Sequence, residues 1–303
     1  MLLVKRESCR VFIPCHNRKA QTLHTIGAVR SLSENLPDLR IHVLDDGSSD
    51  GTSEEIQANF DDVTVHQLSG KHFWGGALNY ILDYLRELEC GDDEVIYVLI
   101  MNDDLLLDQP SQLLNGFLSL KSGVADIVAP ILIDIGITQT DHDPREQVLE
   151  VNYGLVYEPS TGAMRSLEQP GYSNLCVTAA TWFSRNTLIK ASKIPRGIPH
   201  YLSDCWLTHS LFRLGHQIIT LDSYQLKRWA KHTTQPTRKD ITMSYWQSCC
   251  NPKSPNYLPA GSRFTRAFSK RKDRFIQSLL LDLKFCVYRV LTRPKRGIAL
   301  LEL

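Results

Sequence analysis

Residues 94–101 read EVIYVLIM, and the next three residues are Asn102, Asp103 and Asp104. An almost unbroken apolar run of this length, rich in β-branched residues, is a strand covered on both faces. Such a strand lies inside a sheet, between two layers of helices. The preceding sequence agrees. Val11–Pro14 and Ile41–Leu44 are shorter apolar runs, and Val63–Leu68 reads as a third strand. Between them Lys19–Leu32, Ser53–Phe60 and Gly76–Leu88 carry helical spacing, with Leu78, Ile81, Leu82 and Leu85 on one face. This alternation predicts an α/β fold with a mostly parallel central sheet flanked by helices. Sheets of that kind bind ligands at the carboxyl ends of their strands. His16-Asn17, Asp45-Asp46 and Asn102-Asp103-Asp104 each come directly after a strand, so the three clusters are expected on one edge.

Further along, Ile127–Ile133 reads as another strand, and residues 153–157 and 163–169 as a hairpin around Ser160-Thr161-Gly162. Asp204–Leu214 reads as a helix stopped by Gly215, and Ile218–Leu221 as a short strand. Residues 233–262, rich in Pro, Ser, Thr and Asn, read as loop. Residues 263–292 read as a basic amphipathic helix, with Phe264, Phe268, Phe275, Leu279, Leu283, Cys286 and Val290 at mostly helical steps.

Charge is uneven. The 303-residue chain has a net charge of +1, yet residues 263–303 hold eleven Lys/Arg against three Asp/Glu. An acidic body therefore carries a basic tail. Two partners fit the tail: an anionic membrane surface, or the protein itself, packed on its body or in a homodimer. Nucleic acid is not expected, because no aromatic platform accompanies the charge. The eight cysteines include no C-x-x-C pair and suggest neither a zinc site nor a disulfide framework. That usage, a first segment (MLLVKRESCR) without a signal-peptide core, and no long apolar run lead us to expect a cytoplasmic protein, at most peripheral at the membrane.

Each polar cluster has two readings. Adjacent carboxylates in Asn102-Asp103-Asp104 repel one another unless a divalent cation shared with a phosphate relieves them. Otherwise one of them caps the next helix. In Leu44-Asp45-Asp46-Gly47-Ser48-Ser49-Asp50-Gly51-Thr52 the glycines permit tight turns, and the carboxylates suit a nucleobase imide or a ribose hydroxyl. In Gly70-Lys71-His72-Phe73-Trp74-Gly75-Gly76-Ala77-Leu78-Asn79, Trp74 offers a flat wall, Gly75 a close backbone approach and Lys71 a phosphate contact. The alternative is an ordinary loop entering a helix, with Trp74 in the core.

Taken in order, VFIPCHNR (11–18), VLDDGSSDGT (43–52), GKHFWGGALNYIL (70–82), VLIMNDDLLL (98–107) and HYLSDCWLTHSLFRLGH (200–216) resemble the family 2 glycosyltransferases of GT-A fold, in particular bacterial rhamnosyltransferase-like members. The resemblance covers roughly residues 10–235. It implies a catalytic domain over 1–235, with a nucleotide-binding half at 1–130 and an acceptor half at 131–235. The loop and basic extension would then occupy 236–303.

The resemblance also implies roles. Pro14, Cys15, His16 and Asn17 contact the nucleotide with Lys71, Trp74 and Gly75. Asp46, then Asp45, binds the base, and Asp103 lies near the ribose. Asn102 stands where many members have Asp, so Asp104 becomes the ligand of a divalent cation, Mg²⁺ or Mn²⁺, together with His232. Asp204, in Ser203-Asp204 where many members have Glu-Asp, becomes the catalytic base, although its position also suits a helix N-cap. The expected reaction moves a sugar from a dTDP- or UDP-sugar, rhamnose foremost, to a glycan or lipid-linked glycan in bacterial surface polysaccharide synthesis, with inversion. A sugar-nucleotide pyrophosphorylase would need glycine in Pro14-Cys15-His16-Asn17-Arg18. A non-catalytic nucleotide-sugar-binding protein would have lost Asp46, Asp104 and Asp204, which are all present.

Overall fold

The computed structural model describes residues 5–91, 93–138, 145–229, 248–270 and 272–291. The strands β1 (Arg6–Cys15), β2 (Leu39–Asp45), β3 (Val63–Gln67) and β4 (Glu94–Met101) alternate with the helices α1 (Lys19–Arg30), α2 (Thr52–Asn59) and α3 (Phe73–Glu87), as the spacing predicts. β1 is parallel to β2 and β4, and β2 to β3. Next come β5 (Leu105–Leu106), α4 (Ser111–Lys121), β6 (Ile127–Thr138), β7 (Arg145–Asn152), and the hairpin β8 (Leu155–Glu158) with β9 (Ala163–Ser166). β10 (Tyr172–Ser173), β11 (Ala180–Ser184), α5 (Arg185–Leu188), α6 (Ser203–Phe212), β12 (Ile218–Trp229), α7 (Leu258–Phe268) and α8 (Lys272–Leu291) complete the described chain.

The main sheet runs β10-β12-β6-β11-β4-β1-β2-β3, with β5 paired to β12 and β7 to β6. Parallel alternation holds through the first four strands. The second half is mixed, because β11 enters antiparallel between β4 and β6. β12 outruns the expected short strand. Its pairing with β6 shifts register between Thr220 and Gln225, and the polar Asp222-Ser223 at that irregularity reads in sequence as a strand end.

Both faces of the sheet are buried, as EVIYVLIM requires. Val11 and Ile13 point into the layer formed with α1, α2 and α4, while Phe12 points into the layer formed with α3, α6 and α7. Trp182 is fully buried and donates its indole N–H to the Leu113 carbonyl at 3.0 Å, so it is core under α4. His42 and His66 are packing residues too. They stack, and His66 meets Tyr80 Oη at 3.0 Å. Burial lowers the His42 pKa to about 3.

The tail is two helices rather than one. α7 begins at Leu258, inside the span that reads as loop, with Pro259 in its first turn where a missing N–H costs nothing. It ends at Ser269, whose ψ of 138° leaves the helical region. Phe264 and Phe268 pack on Tyr157, Trp206 and His209. The Arg263 guanidinium lies so close over Gly197 that a Cβ there would sit 2.2 Å from it. α7 is thus part of the layer that holds α6.

Gly116 on α4 marks the tightest helix–sheet contact. A Cβ there would lie 2.5 Å from the Tyr224 ring and 2.7 Å from the Trp182 ring, both fully buried. Overpacking of this kind costs about 1–3 kcal/mol, and contact with two rigid rings puts the cost at the upper end. That exceeds the ~1 kcal/mol alanine gains over glycine in a helix. Gly116→Ala is expected to lower the urea midpoint with an unchanged m-value.

Candidate functional site

The site is built from the residues at the carboxyl end of each parallel strand. After β4, the Asn102 N–H donates to the Ala179 carbonyl at 2.7 Å and ties the turn to the approach of β11. The Asp103 carboxylate is buried and accepts from Arg18 Nη1 at 2.6 Å and Thr22 Oγ1 at 3.2 Å. Asp104 is half-buried, with the same Arg18 Nη1 at 3.5 Å. One guanidinium therefore faces both carboxylates. Burial pushes the Asp103 pKa up, Arg18 pulls it back, and Asp104 pushes it up again. Neither Asp is a helix cap, since the next helix, α4, is preceded by Pro110.

The loops after β1 and β2 are stitched together. His16 Nδ1 donates to the Asp46 carbonyl at 2.8 Å, the Asn17 N–H to Ser48 Oγ at 2.9 Å, and the Ser49 N–H to Asn17 Oδ1 at 2.7 Å. Asn17 itself sits at a φ of 51°, a left-handed conformation that asparagine tolerates. Asp45 is buried inside its own turn and accepts from the Ser48 N–H at 2.8 Å and from Ser53 Oγ. Asp50 accepts the Lys19 N–H at 3.1 Å and so satisfies a free donor at the start of α1. Asp46 reaches the third motif, taking the N–H groups of His72 at 3.1 Å and Phe73 at 2.9 Å. Of the first-strand residues expected at the nucleotide, His16 and Asn17 are exposed and Pro14 is half-buried. The Cys15 side chain instead points into the core, where burial raises its thiol pKa.

The third motif does two things. Lys71 is exposed on the loop. Gly75 makes its close approach to the chain's own backbone: its N–H donates to the Pro199 carbonyl at 2.8 Å, and a Cβ would lie 2.5 Å from the Ile198 carbonyl oxygen. Asn79 pairs both ways with the Ile194 main chain, at 2.8 and 2.9 Å. α3 thus grips the segment that leads into α6.

Trp74 then meets the fifth motif. Its indole N–H donates to Asp204 Oδ1 at 2.5 Å, and Thr178 Oγ1 donates to the same oxygen. Asp204 is no N-cap. That position belongs to Leu202, at a φ of 68°, and no side chain caps the helix. The carboxylate lies in the first turn of α6, at the positive end of the helix dipole. Burial raises its pKa, the Thr178 and Trp74 hydrogen bonds lower it, and the Arg228 charge lowers it further. A carboxylate tuned in this way suits proton abstraction.

Four residues here are missing from the sequence expectations: Arg18, Thr22, Thr178 and Arg228. Arg228 lies on β12 opposite Leu105 and pairs with both oxygens of Asp134, at 3.1 Å for its Nη2. The Asp134 hydrogen bond and charge hold its pKa up, and so does Asp104. Its positive field thus reaches both Asp104 and Asp204. Arg18 could have been found, since it ends the VFIPCHNR motif. Arg228 shares a short basic run with His232. Thr178 carries no signal in sequence. His232 itself lies outside the described residues.

The acidic edge suits a shared cation better than a private one. Among the described residues no group of three or more His, Cys, Asp or Glu could hold a metal. Asp103 is buried against Arg18 and Thr22, which leaves Asp104 as the more exposed carboxylate of the pair. Mg²⁺ and Mn²⁺ commonly take one or two protein carboxylates and fill their shells with phosphate and water. Asp104 fits that donor set.

The sequence matches the model of the family described as glycosyl transferase family 2 over residues 10–210. No curated protein matches it significantly. Among solved structures, a mannosyltransferase from Pyrobaculum calidifontis in complex with GDP-Man and Mn²⁺ superimposes with a TM-score of 0.50 at 13% identity, covering 94% of this chain and 73% of that one. Glucosyl-3-phosphoglycerate synthase from Mycobacterium tuberculosis, with phosphoglyceric acid, gives 0.51 at 18% identity over 84% of this chain and 79% of that one. GalNAc-T7 with UDP, GalNAc and Mn²⁺ gives 0.52 at 10% identity over 91% of this chain and 57% of that one. Identities this low speak for the fold alone, here the GT-A arrangement of a central sheet between helices. The family match spans more than half of the chain, from β1 to the helix that carries Asp204, and the protein belongs to glycosyl transferase family 2.

Proposed function

We propose that the protein transfers a sugar from a nucleoside-diphosphate donor to an acceptor hydroxyl, with inversion at the anomeric carbon and Asp204 as the base. The observation that carries this reading is the junction of Trp74, Thr178 and Asp204, which brings a donor-side motif onto the carboxylate of the acceptor half. An alcohol is a poor nucleophile at neutral pH. Asp204 takes its proton as the oxygen attacks the anomeric carbon from the face opposite the diphosphate. Trp74 and Thr178 fix the carboxylate, so no reorientation is needed during attack.

On the donor side, Asp46 is assigned to the nucleobase. Its two main-chain donors orient the carboxylate, and a carboxylate keeps further lone pairs to accept an imide N–H. Pro14, His16 and Asn17 line the same edge, with Cys15 contributing only its main chain. Asp103 supports the ribose side and Lys71 the diphosphate. Asp104, with His232, would hold Mg²⁺ or Mn²⁺, which when bound neutralises charge on the leaving diphosphate. The positive charge of Arg228, whose field reaches Asp104, acts in the same sense. The donor class rests on the family and on the GDP-Man and UDP bound by structural relatives. The finer assignments rest on the motif resemblance: a dTDP- or UDP-sugar, rhamnose foremost, and a bacterial surface glycan or lipid-linked acceptor on the cytoplasmic side.

Asp204→Asn keeps the shape of the site and removes the proton acceptor. Turnover should fall by about 10²–10⁴-fold with nucleotide affinity nearly unchanged. Product formation from a panel of nucleotide sugars, beside calorimetric nucleotide binding, reads both, and full transfer by the variant would rule out this base.

The pH profile gives a second check. The base works deprotonated, and the folded protein raises the Asp204 pKa. The acid limb of kcat/KM should therefore lie above the ordinary carboxylate range, with activity lost as pH falls through it. Thr178→Val removes a hydrogen bond that lowers this pKa, so the limb should move to still higher pH. A limb that stays in place would contradict the role given to Thr178.

A further inference from the structure

α8 is apolar on two sides. One side meets α7: Ser278 is fully buried and its carbonyl accepts from Ser262, Arg266 pairs with Asp282 at 2.5 Å, and Phe285 stacks edge-on with Tyr257. At 100° per residue, Ile276, Leu280, Leu283 and Val287 fall on the opposite side, with Leu279 at its margin. These five side chains are between 46 and 61% exposed. A contiguous stripe of large apolar side chains facing water marks a surface that something covers.

Two occupants suit such a stripe: a second α8 or a lipid surface. Spacings of four, three and four residues from Ile276 to Val287 would serve a helix pair. Charge decides against it. α8 itself holds four Lys/Arg against two Asp/Glu, and Arg271, Arg293, Lys295 and Arg296 flank it in sequence, so self-pairing sets like charge beside like charge. An anionic bilayer attracts the same charge while its acyl boundary takes up the stripe. No described helix is long and apolar enough to cross a membrane, so α8 would lie in the interface plane.

We propose that α8 docks the protein on anionic lipid through Ile276, Leu279, Leu280, Leu283 and Val287. α7 carries this contact to the body, because Phe264 and Phe268 pack against His209 and Trp206 on the helix that bears Asp204. Docking would hold the acceptor half at the bilayer, where a lipid-linked hydroxyl is presented.

Vesicle flotation tests the contact without any sugar transfer, so its outcome is separable from the transferase reading. The full chain is mixed with phosphatidylcholine vesicles, with and without phosphatidylglycerol, at low and high salt. Binding should require phosphatidylglycerol and weaken with salt. Leu280→Ser/Leu283→Ser should reduce it about tenfold or more, because two buried apolar side chains are lost. Lys284→Glu, an exposed charge reversal on the same helix, should weaken it without touching the stripe. An unchanged urea midpoint shows that the variants fold. Equal binding to neutral vesicles, no binding at all, or a solution dimer that the double serine variant dissociates would each overturn the proposal.

Discussion

The Asp204 carboxylate sits in the first turn of α6, held by Trp74 from one half of the fold and by Thr178 from the loop before β11. Removing a carboxylate from water is costly, and the molecule offsets that cost with two donors, a helix N-terminus and the field of Arg228. The balance leaves the group with a raised proton affinity. Much of the second half of the chain serves this placement. α3 grips residues 194–199 through Gly75 and Asn79, and α7 closes over α6 with Phe264 and Phe268.

The opposite wall of the site is rigid for a different reason. His16, Asn17, Asp45, Asp46 and Asp50 spend hydrogen-bonding capacity on neighbouring loops, so the ends of β1 and β2 and the entry to α3 form one body. Preorganised loops of this kind bind a flexible diphosphate sugar with little ordering cost to the protein. They also show that a run of acidic residues has divided labour. Asp45 and Asp50 make turns and caps, whereas Asp46 and Asp104 remain at the edge. Arg18, facing both Asp103 and Asp104, relieves the repulsion of the acidic pair in the free protein.

The first four strands and their helices are legible in the sequence because each carries a local apolar period. EVIYVLIM alone fixes a strand buried on both faces, and parallel topology then puts the polar clusters at one sheet edge. β5 and β10 are two residues long, and β11 takes its place from β4 and β6, distant in sequence, so no local period announces them. The break at Ser269 is hidden because apolar residues continue at helical steps on both sides of it. The candidate site divides the same way. Asp104 and Asp204 stand out as acidic residues in motifs, while the roles of Thr178 and Arg228 depend on long-range packing. Asp45 and Asp46 look alike in sequence, and only their partners separate a turn-maker from an edge residue.

The central claim is that one edge of the sheet holds a nucleoside diphosphate between Asp46 and Asp104, facing Asp204. A crystal of the protein grown with UDP and Mn²⁺ tests it most directly, because manganese is located by its anomalous scattering. The account predicts the manganese peak on the Asp104 carboxylate, the diphosphate beside it and the base against Asp46. Nucleotide bound elsewhere, or bound at this edge with no manganese at Asp104, would contradict it.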